Sequence, residues 1–254
     1  MEQDMYLSVI IPAYKEQDRI GQTLLTIEKF LRTKGFPFEV LVVIDGASDA
    51  TGDVARGFSD QISNLRVIEN KENHGKGYVV RQGLLEARGK YRLFMDADGS
   101  TSIDHVGLFL PAFEQEGYDV VIGSRDIAGA NIEKHQAKYR EMLGNMGNIA
   151  IKSILGLWEY PDTQCGFKML SAKASEAIAS RMVVDRFGFD FELLALAHAL
   201  KFRVKQLPVR WVDEAQGSTV KLFGPNGYLR VLRDLFATRL RLLTGRYRIS
   251  EYKQ

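Results

Sequence analysis

Short apolar runs alternate with amphipathic stretches through the first half of the chain, and few folds accept that alternation. Leu7-Ser-Val-Ile-Ile-Pro-Ala-Tyr14 reads as a strand, residues 16–34 as a helix, Phe38 to Asp45 as strand and about 50–60 as helix. Leu65 to Glu69, a helix from about Lys76 to Arg88, then strands at Tyr91 to Met95 and Asp119 to Gly123 continue the series. Strands that are apolar at nearly every residue are buried on both faces. The pattern therefore predicts an α/β fold, a mostly parallel central sheet flanked by helices. The second half is less regular. It holds a helical stretch from about 135 to 156, a Gly-containing run at 164–170 and a helix near 190–200. A late strand from Arg203 to Val212 is interrupted by Pro208, which places it near a sheet edge.

With 254 residues, 45% of them apolar and 26% charged, the chain buries a core of ordinary size. A net charge of +2 names no partner, and nucleic acid is not expected. One cysteine, Cys165, excludes an internal disulfide framework, suits a reducing compartment and is expected as a buried thiol. The opening Met-Glu-Gln-Asp-Met lacks a basic and apolar leader, and no uncharged stretch approaches the roughly 18–20 residues that span a bilayer. Neither a signal peptide nor a transmembrane span is expected.

Ligands of open α/β sheets bind outside the carboxyl ends of the strands. Three such ends carry polar groups here: Pro12-Ala-Tyr-Lys-Glu16, Asp45-Gly-Ala-Ser-Asp49 and Asp96-Ala-Asp98. They should meet on one rim. The third is the most telling, because Leu93-Phe94-Met95 runs straight into two acids. As turn residues, Asp and Gly are common wherever a strand ends. As a site, two like charges at a partly buried rim raise a carboxylate pKa unless a cation is near. Mg²⁺ or Mn²⁺ answers that need, since these ions take a few carboxylates together with substrate phosphates. Other phosphate and metal motifs are missing. No G-x-x-x-x-G-K-[ST] occurs, no G-x-G-x-x-G follows the first strand, and His74, His105, His135 and His198 lack ligand spacing.

In order, "SVIIPAYKEQDRI", "VVIDGASDAT", "NHGKGYVVRQGLLEARGKY", "DADGST", "VIGSR", "DTQCGFKML", "FGFDFELL" and "EAQGSTVK" resemble the motifs of the family 2, GT-A-type glycosyltransferases. Within them the chain looks most like the dolichyl-phosphate glucose and mannose synthases, nearest the glucosyl branch. Ile44 and Ala47 depart from the family's usual V-D-D-G-S. The resemblance implies a Rossmann-like GT-A fold and inverting, metal-dependent transfer of a hexose from a nucleotide sugar to a polyprenyl (dolichyl) phosphate. UDP-glucose is the expected donor. A GDP-mannose-dependent polyprenyl-phosphate mannosyltransferase and a family 2 enzyme with a non-lipid acceptor are the alternatives.

The same resemblance assigns donor binding to Pro12, Tyr14, Glu16, Asp45, Lys76, Asp96, Ala97 and Asp98, and the Mg²⁺ or Mn²⁺ ion to Asp96 and Asp98. It assigns the acceptor phosphate to Arg125, Arg140, Ser218 and Lys221. Arg125 and Asp190 join Asp96 and Asp98 as expected catalytic residues. Several of these have a plain reading beside the functional one. Gly75-Lys76-Gly77 is also a turn, Asp190 and Glu192 either orient substrate or cap a helix, and Ser218 and Lys221 either close over the donor or belong to a surface loop.

"YLRVLRDLFATRLRLLTGRYRI" (228–249) sets Leu229, Leu232, Leu235, Phe236, Leu240 and Leu243 at helical spacing beside Arg230, Arg233, Arg239, Arg241, Arg246 and Arg248. Such a helix either lies in an anionic membrane interface or packs on the core with a solvated basic face. The expected organisation is a catalytic domain over 1–221 and a basic amphipathic tail over 222–254. The expected location is the cytoplasm, peripheral at the cytoplasmic face of a membrane.

Overall fold

Side chains of each strand alternate between two apolar layers, and that period of two organises the molecule. In the computed structural model, which describes residues 5–46, 48–132, 138–212 and 225–252, the side chains of residues 138–145, 225, 226 and 228 are left out of the description. The chain runs β1 (Leu7–Ala13), α1 (Ile20–Arg32), β2 (Phe38–Asp45), α2 (Thr51–Arg56), β3 (Leu65–Asn70), α3 (Lys76–Glu86), β4 (Tyr91–Met95), α4 (Val106–Glu114) and β5 (Val120–Ser124). It continues β6 (Asn131–Ile132), α5 (Lys138–Leu155), β7 (Phe167–Ser171), α6 (Ala172–Ala179), α7 (Phe189–Ala199), β8 (Val204–Pro208), β9 (Arg210–Trp211) and α8 (Pro225–Leu243).

Seven strands form one sheet in the order β3-β2-β1-β4-β7-β5-β8, and β6 and β9 form a small second sheet. β3, β2, β1 and β4 are parallel, as are β5 and β8. β7 runs antiparallel to both β4 and β5. The late strand does lie at the edge, ending at Pro208. Leu7, Val9, Ile11, Val40, Val42, Ile44, Leu93 and Met169 face the layer of α1, α2 and α4, whereas Ile10, Leu41, Val43, Phe94, Ile122 and Leu170 face that of α3, α5, α6, α7 and α8. Burying each of these side chains contributes about 1.5–3 kcal/mol, which fixes the register.

Two helices escape the sequence reading. α4 is apolar on several sides and carries Pro111, so its helical period is blurred. α6 is short and Ala-rich, and it starts where Ser171 accepts a cap from the Ala174 N–H. α1 begins at Ile20 rather than 16, leaving residues 14–19 free to line the rim. α8 packs against α5 and α7. Leu235 and Thr238 point inward and are buried, but Leu229, Leu232, Phe236, Leu240 and Leu243 are 63%, 42%, 59%, 54% and 68% exposed. The stripe that looked single in sequence thus divides, with Leu235 on the core side.

Candidate active site

From β1 the chain leaves through α1 toward β2 and β3, then returns through α3 to β4 on the other side of β1. A crevice opens at the carboxyl ends where such connections diverge. Pro12, Tyr14, Glu16, Asp45, Lys76, Asp96, Ala97 and Asp98 all line this cleft, with Ala13, Arg19, Asn73, Gly75, Val79, Arg186 and Phe187.

Asp45 ends β2 and is buried. Its carboxylate accepts hydrogen bonds from Asn73 Nδ2 (2.9 Å), the His74 N–H (2.7 Å) and the Gly75 N–H (2.9 Å), so it holds the loop that opens α3. Gly75 has a φ of 116°, and a Cβ there would strike the backbone of Asp185. A Cβ at Gly77 would likewise strike Val184 O. The Tyr78 N–H donates to Asp185 O at 3.0 Å. Both glycines are therefore explained by close backbone packing, which places the intervening Lys76 at the first helical position, in the cleft.

Lys76 Nζ lies 2.5 Å from Asp96 Oδ1. That oxygen is buried, with the ammonium as its partner. Asp98 Oδ1 accepts the Ser100 N–H at 2.9 Å, and Thr23 Oγ1 donates to Ala97 O at 2.7 Å, tying the acidic turn to α1. Burial, then the Asp96 charge, raises the Asp98 pKa. Burial also lifts Glu16 to about 7, against the opposing charge of Arg19, which grips both carboxylate oxygens at 2.8 and 2.9 Å. Burial works against the Lys76 ammonium, but the Asp96 and Asp190 charges outweigh it and its pKa is raised.

Among the described residues no three His, Cys, Asp or Glu side chains gather as a metal site. Two adjacent carboxylates at one strand end, one of them balanced by a lysine ammonium alone, fit a hard divalent ion that completes its shell with phosphate oxygens. Residues 8–179 match the model of Glycosyl transferase family 2. The chain belongs to that family. It is a glycosyltransferase with the GT-A fold.

This family 2 chain is 36% identical over 260 residues to the Drosophila melanogaster protein named dolichyl-phosphate beta-glucosyltransferase, covering 98% of this chain and 78% of that one. It is 32% identical over 263 residues to the Homo sapiens protein of the same name, covering 98% and 79%. Among solved structures, glucosyl-3-phosphoglycerate synthase from Mycobacterium tuberculosis, crystallised with Mn²⁺, UDP and phosphoglyceric acid, shares the fold. Its TM-score is 0.64 at 19% identity, over 94% of this chain and 78% of that one.

The remaining expected residues lie apart from the cleft lining of this glycosyltransferase. Arg125 follows β5, and its Nε and Nη2 donate to Asp162 at 2.7 and 3.0 Å, with the guanidinium over Trp211. Asp162 also accepts the Gln164 N–H, so the pair fixes the loop that reaches Gly166. A Cβ on Gly166 would collide with the Asp96 carboxylate. Arg140 falls within α5 with its side chain outside the description, and Ser218 and Lys221 lie outside the described residues.

Asp190, in the first turn of α7, is buried and ion-paired with Lys168, whose Nζ also donates to Cys165 O at 2.6 Å. Burial raises the Asp190 pKa, against Lys168 and Lys76. Glu192 accepts the N–H groups of Val183 and Val184 at 3.1 and 2.9 Å and the Tyr247 hydroxyl at 2.5 Å. It secures the segment leading to Arg186 and Phe187 and lies outside the cleft lining. Sequence reading missed Arg19, Asn73, Arg186, Phe187 and Lys168. A lysine inside the apolar strand "CGFKML" was the available signal for the last.

Proposed function

We propose that this glycosyltransferase moves glucose from UDP-glucose to a polyprenyl (dolichyl) phosphate, with inversion, at the cytoplasmic face of a membrane. The acidic tip Asp96-Ala97-Asp98, facing a cleft that also holds Lys76, is the observation that carries the reading. Relatives named dolichyl-phosphate beta-glucosyltransferase, matched over nearly the whole chain, support the sugar and the acceptor. Asp96 and Asp98 would hold Mg²⁺ or Mn²⁺. That ion would supply charge neutralisation for the departing nucleoside diphosphate.

The chain's own residues do the rest. A phosphate monoester, with a second pKa of about 6, is largely dianionic at neutral pH and needs positioning more than a base. Pro12, Tyr14 and Asp45 receive the nucleoside end of the donor, and Glu16 and Arg19 close one wall. Arg140, Ser218 and Lys221 receive the acceptor phosphate, and Arg125 joins them by exchanging Asp162 for that dianion, an anion its planar fork also fits. Asp190, buried behind the lining and held by Lys168, orients the sugar site through Lys76, on which its charge acts. The exposed apolar row of α8, with its arginines, rests on the anionic interface where a prenyl phosphate resides.

Radiolabelled UDP-glucose incubated with a phosphoprenol tests the reading. Label should pass into the organic phase, stop with EDTA and resume with Mn²⁺. Absence of organic-soluble label from any nucleotide sugar contradicts it.

A further inference from the structure

Three buried or half-buried acids of the cleft and its floor each have a cation of their own. Glu16 has Arg19, Asp190 has Lys168, and Asp96 has Lys76. Asp98 is held by Ser100, whose backbone N–H donates to it, and has no ion pair of its own like those three. Lys76 is the movable member of this set. Lys168 is fully buried and anchored by the Cys165 carbonyl as well as by Asp190, and Arg19 grips Glu16 with two bonds. Lys76 reaches Asp96 from the first residue of α3 on a flexible four-carbon stem, through one short ion pair.

A divalent ion held by Asp96 and a lysine ammonium on the same carboxylate would repel each other in a half-buried site. We propose that Lys76 is a placeholder cation. Without a bound ion it neutralises Asp96, and when metal and nucleoside diphosphate enter together it leaves that carboxylate and turns to the diphosphate. Asp190, the second acid whose charge acts on Lys76, keeps the ammonium at the floor during the exchange. Lys76 is thus a positioning residue that makes metal binding and nucleotide binding depend on each other. A metal ion arriving alone must displace Lys76 without compensation. An ion arriving with a diphosphate offers the displaced ammonium a new partner.

This inference rests on the proposed metal-dependent donor site, and its test reads binding rather than sugar transfer. Free Mn²⁺ is followed by electron paramagnetic resonance during titration of the full chain, with and without UDP, in the wild type, Lys76→Met and Lys76→Arg. In the wild type, UDP should tighten Mn²⁺ binding by at least about fivefold. Lys76→Met should bind Mn²⁺ alone more tightly than the wild type, bind UDP more weakly, and lose most of the mutual enhancement. Lys76→Arg, which keeps the charge, should retain that enhancement. Circular dichroism melts of both variants establish that they fold. Wild-type binding of Mn²⁺ and UDP together, with unchanged or weaker affinity of Lys76→Met for Mn²⁺ alone, overturns the exchange and leaves the donor site intact. Failure of the wild type to bind Mn²⁺ with UDP overturns the donor site itself.

Discussion

Gly166 touches the Asp96 carboxylate so closely that no Cβ fits between them. Gly166→Ala must therefore displace either Asp96 or the loop pinned by Arg125 and Asp162. A displacement of this kind costs about a hundredfold in kcat/KM, and we expect that loss in steady-state transfer assays with little change in melting temperature. Glu16 supplies the pH dependence. Burial holds its folded pKa at about 7, above the ordinary value of 4.5, so the folded chain binds more protons in that window. Stability therefore declines as pH rises from about 4.5 through 7. A divalent cation beside Asp96 and Asp98 favours the charged carboxylate. Affinity for Mn²⁺ with UDP should therefore rise between about pH 6 and 8 in the wild type, and Glu16→Gln should flatten that rise in calorimetric titrations. The acids themselves were legible because an apolar strand ending in two carboxylates is an unusual thing to bury. The cations that pair with Glu16 and Asp190 were not, because Arg19 and Lys168 are single basic residues whose meaning depends on what packs against them.

The C-terminal segment is joined to the cleft by a short relay of hydrogen bonds. Tyr247 donates to Glu192, and Glu192 accepts the N–H groups of Val183 and Val184, three residues before Arg186 and Phe187 reach the cleft. Tyr247→Phe removes one charge-assisted bond from a buried carboxylate, worth about 1.5–3 kcal/mol. The variant should melt several degrees lower; a melting curve superposed on that of the wild type would place the Glu192 carboxylate elsewhere. The strands of the first half were readable from apolar runs alone, β2 and β4 to the residue, since a strand buried on both faces must be apolar throughout. Orientation was less visible. β7 resembles its parallel neighbours in composition, and only its pairing with β4 and β5 reveals the reversal. The inward turn of Leu235 on α8 was equally hidden, because helical spacing alone does not say which part of a broad apolar stripe the core will take.

At the scale of the whole molecule, three strand ends and the start of α3 converge on one cleft, and a separate face presents the outer row of α8. No helix among the described residues is long and apolar enough to cross a membrane. The proposed attachment to a bilayer is assigned to the outer row of α8, of which Phe236 and Leu240 are exposed members. Phe236→Asp with Leu240→Asp should abolish flotation with vesicles containing anionic phospholipid while leaving UDP binding unchanged; undiminished flotation would assign the attachment to another surface. The convergence of the strand ends followed from the βα alternation, whereas the loop from 183 to 187 that forms the opposite wall did not, because it arrives from the less regular half of the chain. Metal and diphosphate are expected to meet at the Asp96-Ala97-Asp98 tip. Anomalous diffraction at the manganese edge, from crystals soaked with Mn²⁺ and UDP-glucose, measures that position directly. We expect one strong peak between the carboxylates of Asp96 and Asp98, with the diphosphate against it and uracil toward Pro12 and Tyr14. A nucleotide lodged outside this cleft, or a peak remote from both acids, would contradict it.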